Sequence, residues 1–121
     1  MPIANLLGLN RLAKPLTSEE GRRILERDLY RCQYCGLDGM SSFENSLIMT
    51  VDFVQPRAHK GKKSTSNLVA ACRPCNTIKG VRSFPSLEEA KSYVVQRRAE
   101  LKKDWEAAMA PLRSRSAAAS K

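Results

Sequence analysis

Four cysteines in two Cys-x-x-Cys pairs, Cys32-Gln33-Tyr34-Cys35 and Cys72-Arg73-Pro74-Cys75, are the residues whose type and spacing bear most directly on chemistry. Each pair presents two soft, anionic sulfurs to one ion, and four together suit tetrahedral zinc with Zn–S bonds of about 2.3 Å. A rubredoxin-like iron centre and two disulfides are the competing uses of such pairs, and metal content separates the three. The long stretch between the pairs does not weigh against a shared site, because doubling the length of a loop adds only about 0.6 kcal/mol to its closure. Four sulfurs leave no position for water, so a metal held this way is structural and any reaction must use other side chains.

Charge is the second signal. The chain has 21 Lys plus Arg against 12 Asp plus Glu, a formal charge of +9, and so basic a surface favours polyanions. The excess is concentrated: Arg57, Lys60, Lys62, Lys63, Arg73, Lys79 and Arg82 follow one another with no acidic residue from 57 to 82. Solubility alone does not account for such a block, although single lysines within it are ordinary solvated charges. No apolar run approaches the roughly 18 residues of a membrane span, and the N-terminus lacks the pattern of a secretory signal. The expectation is a cytoplasmic protein, a reducing setting in which cysteines serve metals more readily than disulfides. At 121 residues, 42% hydrophobic and 27% charged, the composition is that of one globular domain with a modest core. A metal staple would supplement that core.

The elements that position these residues are legible in outline. Residues 1–16 form an N-terminal arm with scattered leucines. Thr17 followed by Glu20 reads as a capping box that opens a helix to about Tyr30, with Ile24, Leu25 and Leu29 on its apolar side. The helix delivers the chain to the first cysteine pair, where Gly36 can take the backbone angles of a knuckle. After a polar loop, residues 47–54 (Leu-Ile-Met-Thr-Val-Asp-Phe-Val) read as a strand ended by Pro56, and Asn67 to Ala71 as a second, joined by a basic loop. The second knuckle opens a short helix, with Pro74 early and Gly80 at its close. Ser86 and Glu89 open a C-terminal helix, about 86–109, with Leu87, Ala90, Val94, Leu101, Trp105 and Ala108 as a core-facing stripe. Residues 111–121 read as a basic flexible tail. The fold class is α+β, with flanking helices around a strand–strand–helix centre.

The ordered combination Tyr30-Arg31-Cys32-Gln33-Tyr34-Cys35-Gly36, Thr50-Val51-Asp52-Phe53-Val54-Gln55-Pro56-Arg57, Asn67-Leu68-Val69, Cys72-Arg73-Pro74-Cys75-Asn76 and Lys79-Gly80 closely resembles the HNH endonuclease family over roughly residues 22–82. The resemblance implies a zinc-stabilised ββα-metal (HNH, His-Me finger) module, with its zinc-bound core at about 31–82 inside a domain of 17–110. It implies a metal-dependent hydrolysis of DNA phosphodiester bonds. By position, Asp52 matches the carboxylate that binds a catalytic Mg²⁺ or Mn²⁺, Asn76 the second ligand of that cation, and Asn67 the residue that fixes the hairpin loop. The family's general-base histidine follows the aspartate, and here that residue is Phe53, which cannot accept a proton. General-base catalysis is worth about 10²- to 10⁴-fold, so the resemblance implies a slow nuclease, a nuclease with a relocated base, or a DNA-binding module derived from one. His59, the chain's one histidine, is the candidate relocated base. Arg57, Lys60, Lys62, Lys63, Arg73, Lys79 and Arg82 are the candidate DNA-binding residues. DNA is the expected partner, with RNA as a second possibility, no membrane and no small-molecule cofactor; oligomeric state is not read.

Overall fold

The computed structural model describes residues 15–119, so the expected arm at 1–16 lies almost wholly outside the described residues. The first helix, α1 (Ser18–Arg27), opens on the capping box: the Glu20 amide donates to Thr17 Oγ1 at 3.1 Å and the Thr17 amide to Glu20 Oε1 at 2.9 Å. It buries Ile24 and ends three residues before the expected limit at Tyr30. Tertiary bonds set that end. Asp28 accepts the Ala70 amide at 2.8 Å, Arg27 donates to the carbonyls of Leu68 and Thr65, and Leu29 and Tyr30 turn the chain with positive φ of 53° and 54°. Leu29, expected on the apolar side of the helix, is consequently exposed.

The loop after the first knuckle contains a short helix, α2 (Phe43–Leu47), capped by Ser42, where the sequence suggests only a polar loop. Its five residues are too few to carry an amphipathic period, so local capping is its one sequence signal. Strand β1 (Met49–Phe53) then pairs antiparallel with β2 (Leu68–Cys72), with Asp52 opposite Val69 and Phe53 opposite Leu68. Every β2 residue is buried, and Ala70 and Ala71 allow close approach of neighbouring elements. The hairpin loop is folded tightly on itself. The Gly61 amide donates to Pro56 O, and a Cβ at Gly61 would fall 1.6 Å from Gln55 O, so no larger residue fits.

Helix α3 (Arg73–Lys79) follows β2 directly, with Pro74 in its first turn and Gly80 at its end with φ +62°. The strand–strand–helix order read from the sequence is present. The last helix, α4 (Leu87–Ala119), packs on α3 through its first turns, burying Ala90 and Val94. It then outruns the body. Leu101 and Trp105, expected in the core stripe, are exposed, and Trp105 carries the Arg113 guanidinium 5.0 Å from its ring centre. The helix also continues past 109 and through Pro111 to Ala119, where the sequence suggests a flexible tail. Proline's fixed φ is helical and removes one hydrogen bond, and the following Ala117 to Ala119 are strong helix formers. Among the described residues no helix is long and apolar enough to cross a membrane.

Candidate functional site

The two knuckles meet on one side of the hairpin. The first is a turn closed by the Gly36 amide donating to Cys32 O and by a bridge between Arg31 and Asp38; the second is the junction of β2 and α3. They bring the sulfurs of Cys32, Cys35, Cys72 and Cys75 within 4.8 Å of one another. Cys35 Sγ lies 3.7 Å from Cys72 Sγ, close to the roughly 3.8 Å edge of a tetrahedron with Zn–S bonds of about 2.3 Å, and all four cysteines are unbridged. Three are buried and Cys35 is exposed. As bare thiols they resist joint ionisation. A hydrogen bond with Cys75 draws Cys32 down to about 4, burial pushes Cys72 up to about 11, and the same bond to Cys32 drives Cys75 upward. A divalent cation removes that conflict by stabilising every thiolate at once, so number, softness and spacing of the donors fit a structural zinc site.

Asp52 is buried beneath the first knuckle. Its Oδ2 accepts the Tyr34 hydroxyl at 2.5 Å and faces the Lys79 ammonium at 3.3 Å, which also donates to Phe53 O at 2.9 Å. Lys79 is fully buried and Asp52 nearly so. Burial raises the Asp52 pKa, with the Tyr34 hydrogen bond and the Lys79 charge pulling the other way; Tyr34 is pushed far up, first by burial and then by the Asp52 charge. The elements explain the convergence. Tyr34 sits between two cysteines of one knuckle, and Lys79 follows Cys75 by one helical turn, on the inward face of α3. Asn76, three residues before Lys79 on the same helix, is half-buried.

Asn67 ties the hairpin loop together. Its Oδ1 accepts the Gln55 amide at 2.8 Å, and its Nδ2 donates to Gln55 O and to Lys62 O, each at 3.0 Å. The Asn67 carbonyl also accepts the Val54 amide at 3.0 Å. A single side chain thus spans the loop that holds the basic residues.

Residues 32–82 match the family described as HNH endonuclease. That segment of the chain is similar to the family. No curated protein and no solved structure matches it significantly. The matched segment contains both knuckles, the hairpin and α3, a small ββα module flanked by α1 and α4 with a four-cysteine cluster that fits a zinc staple.

Within the matched segment the residues singled out from sequence divide into distinct settings. Phe53 is half-buried on β1, its side chain alternating away from Asp52. His59 is exposed at the end of a single 3₁₀ turn, Arg57–His59, near the tip of the loop. Lys60, Lys62, Arg73 and Arg82 are exposed, Arg82 with its guanidinium 4.9 Å from the Tyr93 ring centre; Arg57 is half-buried. Two of the expected phosphate contacts need correction. Lys79 has no exposed surface and is committed to Asp52 and Phe53 O, so it cannot reach a phosphate. Lys63 is half-buried and paired with Glu20 at 2.9 Å, which ties the loop to α1. The sequence reading missed Tyr34, although its place inside the first Cys-x-x-Cys marks it, and Arg98, whose partner is reached only through the packing of α4.

Proposed function

We propose that the HNH-like module hydrolyses phosphodiester bonds in DNA, slowly, at the face formed by β1, the hairpin loop and α3. What supports this reading is the packing of Asp52 on β1 against Lys79 of α3, the helix that also carries Asn76, inside the segment that matches the family. Asp52 and Asn76 are hard oxygen donors that suit Mg²⁺ or Mn²⁺, and a cation there would supply electrostatic stabilisation of charge on the phosphate. The fit is weakened by Lys79, which already neutralises Asp52, so a high cation concentration is expected for activity. Lys60, Lys62, Arg73 and Arg82 hold flanking phosphates without reading bases. Asn67, bonded to Gln55 and to Lys62 O, holds together the loop that carries Lys60 and Lys62. Phe53 withholds the base, and His59, exposed in the hairpin loop, is the group that could replace it.

A second reading, a non-catalytic module that binds nucleic acid, is favoured by Phe53 together with the Asp52–Lys79 pair. One experiment separates them. Plasmid nicking with Mn²⁺ is measured for the zinc-loaded wild type and for Phe53→His, Asp52→Asn and His59→Ala, each checked for folding. A rise of about 10²- to 10⁴-fold in Phe53→His, abolished by adding Asp52→Asn, supports an assembled site lacking only its base. Equal rates in wild type, Asp52→Asn and Phe53→His refute catalysis, and salt-dependent DNA binding then supports the module. An unchanged rate in His59→Ala removes the relocated base.

A further inference from the structure

Arg98, the twelfth residue of α4, reaches back to the cysteine cluster and places Nη1 3.6 Å from Cys75 Sγ. It is half-buried, and the cluster it faces lies among four sulfurs on two separate chain segments. A zinc ion bound by four thiolates carries a net charge of −2, and a buried anion of that size requires hydrogen-bond donors or cations around it. Lys91 and Arg31 line the same cleft of about 550 Å³ beside the first knuckle. Arg31 already serves Gly36 O at 2.8 Å and Asp38 at 3.7 Å, and among the described side chains Arg98 is the cation with a hydrogen bond to a cluster sulfur.

We infer that Arg98 is a positioning residue for the zinc site: its guanidinium neutralises part of the thiolate charge, holds Cys75 in its coordinating orientation, and slows loss of the metal. The same bond fastens α4 to the module. Zinc retention and helix docking are thus two readings of one contact, and neither depends on the domain being a nuclease.

The test uses the full, zinc-loaded chain. Zinc transfer to a chromophoric chelator is timed for wild type, Arg98→Met, Arg98→Lys and Arg97→Met, whose arginine pairs with Glu100 on the same helix. Arg98→Met should release zinc about 10- to 100-fold faster, the range for removing an outer partner of a metal ligand. Arg98→Lys, which keeps charge without the planar fork, should fall between, and Arg97→Met should match wild type. Cobalt-substituted protein supplies a second measurement, since the thiolate-to-cobalt charge-transfer band should shift in Arg98→Met while helix content stays unchanged. Equal release rates and equal spectra in Arg98→Met and wild type overturn the inference. If Arg98→Met does not fold, Arg98→Lys decides alone: wild-type release and an unshifted band overturn the role of the fork, and faster release with a shifted band supports it.

Discussion

Replacing Lys79 by Met tests whether the buried Asp52 carboxylate is held by charge. At 3.3 Å the ammonium and carboxylate attract by about 5 kcal/mol at an effective dielectric of about 20, and both are removed from water. The substitution keeps the side chain's bulk but leaves Asp52 as an uncompensated buried charge and Phe53 O without its donor. Breaking one partner of such a pair costs about 3–5 kcal/mol, a large fraction of the 5–15 kcal/mol that typically holds a domain folded. Asp52→Asn should cost a similar amount, by stranding the ammonium. The double variant behaves differently. Burial outweighs both partners in setting the Asp52 pKa, so the pair as a whole adds little net stability, and Lys79→Met with Asp52→Asn should lie within about 1–2 kcal/mol of wild type. Urea unfolding followed by circular dichroism, at fixed pH and fixed free zinc, measures all four corners of the cycle, with exposed Lys62→Met as a control expected within about 0.5 kcal/mol. Two results would refute the reasoning: a Lys79→Met cost below about 1 kcal/mol, or single costs that simply add in the double variant.

Two further outcomes are expected from the same structure. Stripping the metal with a chelator should unfold the module, and one equivalent of zinc per chain should restore its circular dichroism spectrum, because the small core leans on the cysteine staple. Glu20 is held down at about 2 from an ordinary 4.5, first by the Thr17 amide and then by Lys63. A depressed carboxylate contributes stability that is in place above 4.5 and is lost as pH falls toward 2. Carbon-detected NMR should find Glu20 still ionised at pH 4.5, and Lys63→Met, which removes the second cause while leaving the Thr17 amide, should raise it part of the way toward the ordinary value; half-protonation of Glu20 at that pH in the wild type would contradict the capping geometry.

Much of the molecule follows from sequence for local reasons. Paired cysteines, a Thr17–Glu20 box, a run rich in β-branched residues and a proline–glycine-bounded short helix are signals whose meaning does not depend on distant neighbours, and each element they indicate is present. The role of Asn67 in the loop came from the family resemblance, and its partners Gln55 and Lys62 lie within the same hairpin. What only the tertiary structure decided was the pairing of groups across elements. Counting along α3 places Lys79 on the face of Cys75, but only the packing of that helix against β1 turns a presumed phosphate contact into the buried partner of Asp52. The apolar period of α4 was readable, yet whether Leu101 and Trp105 would find a surface to cover depended on the size of a body too small to reach them. Period and capping are properties of a few neighbouring residues; desolvation and charge pairing belong to the three-dimensional arrangement, because a buried charge is stable only beside the partner that the fold brings to it.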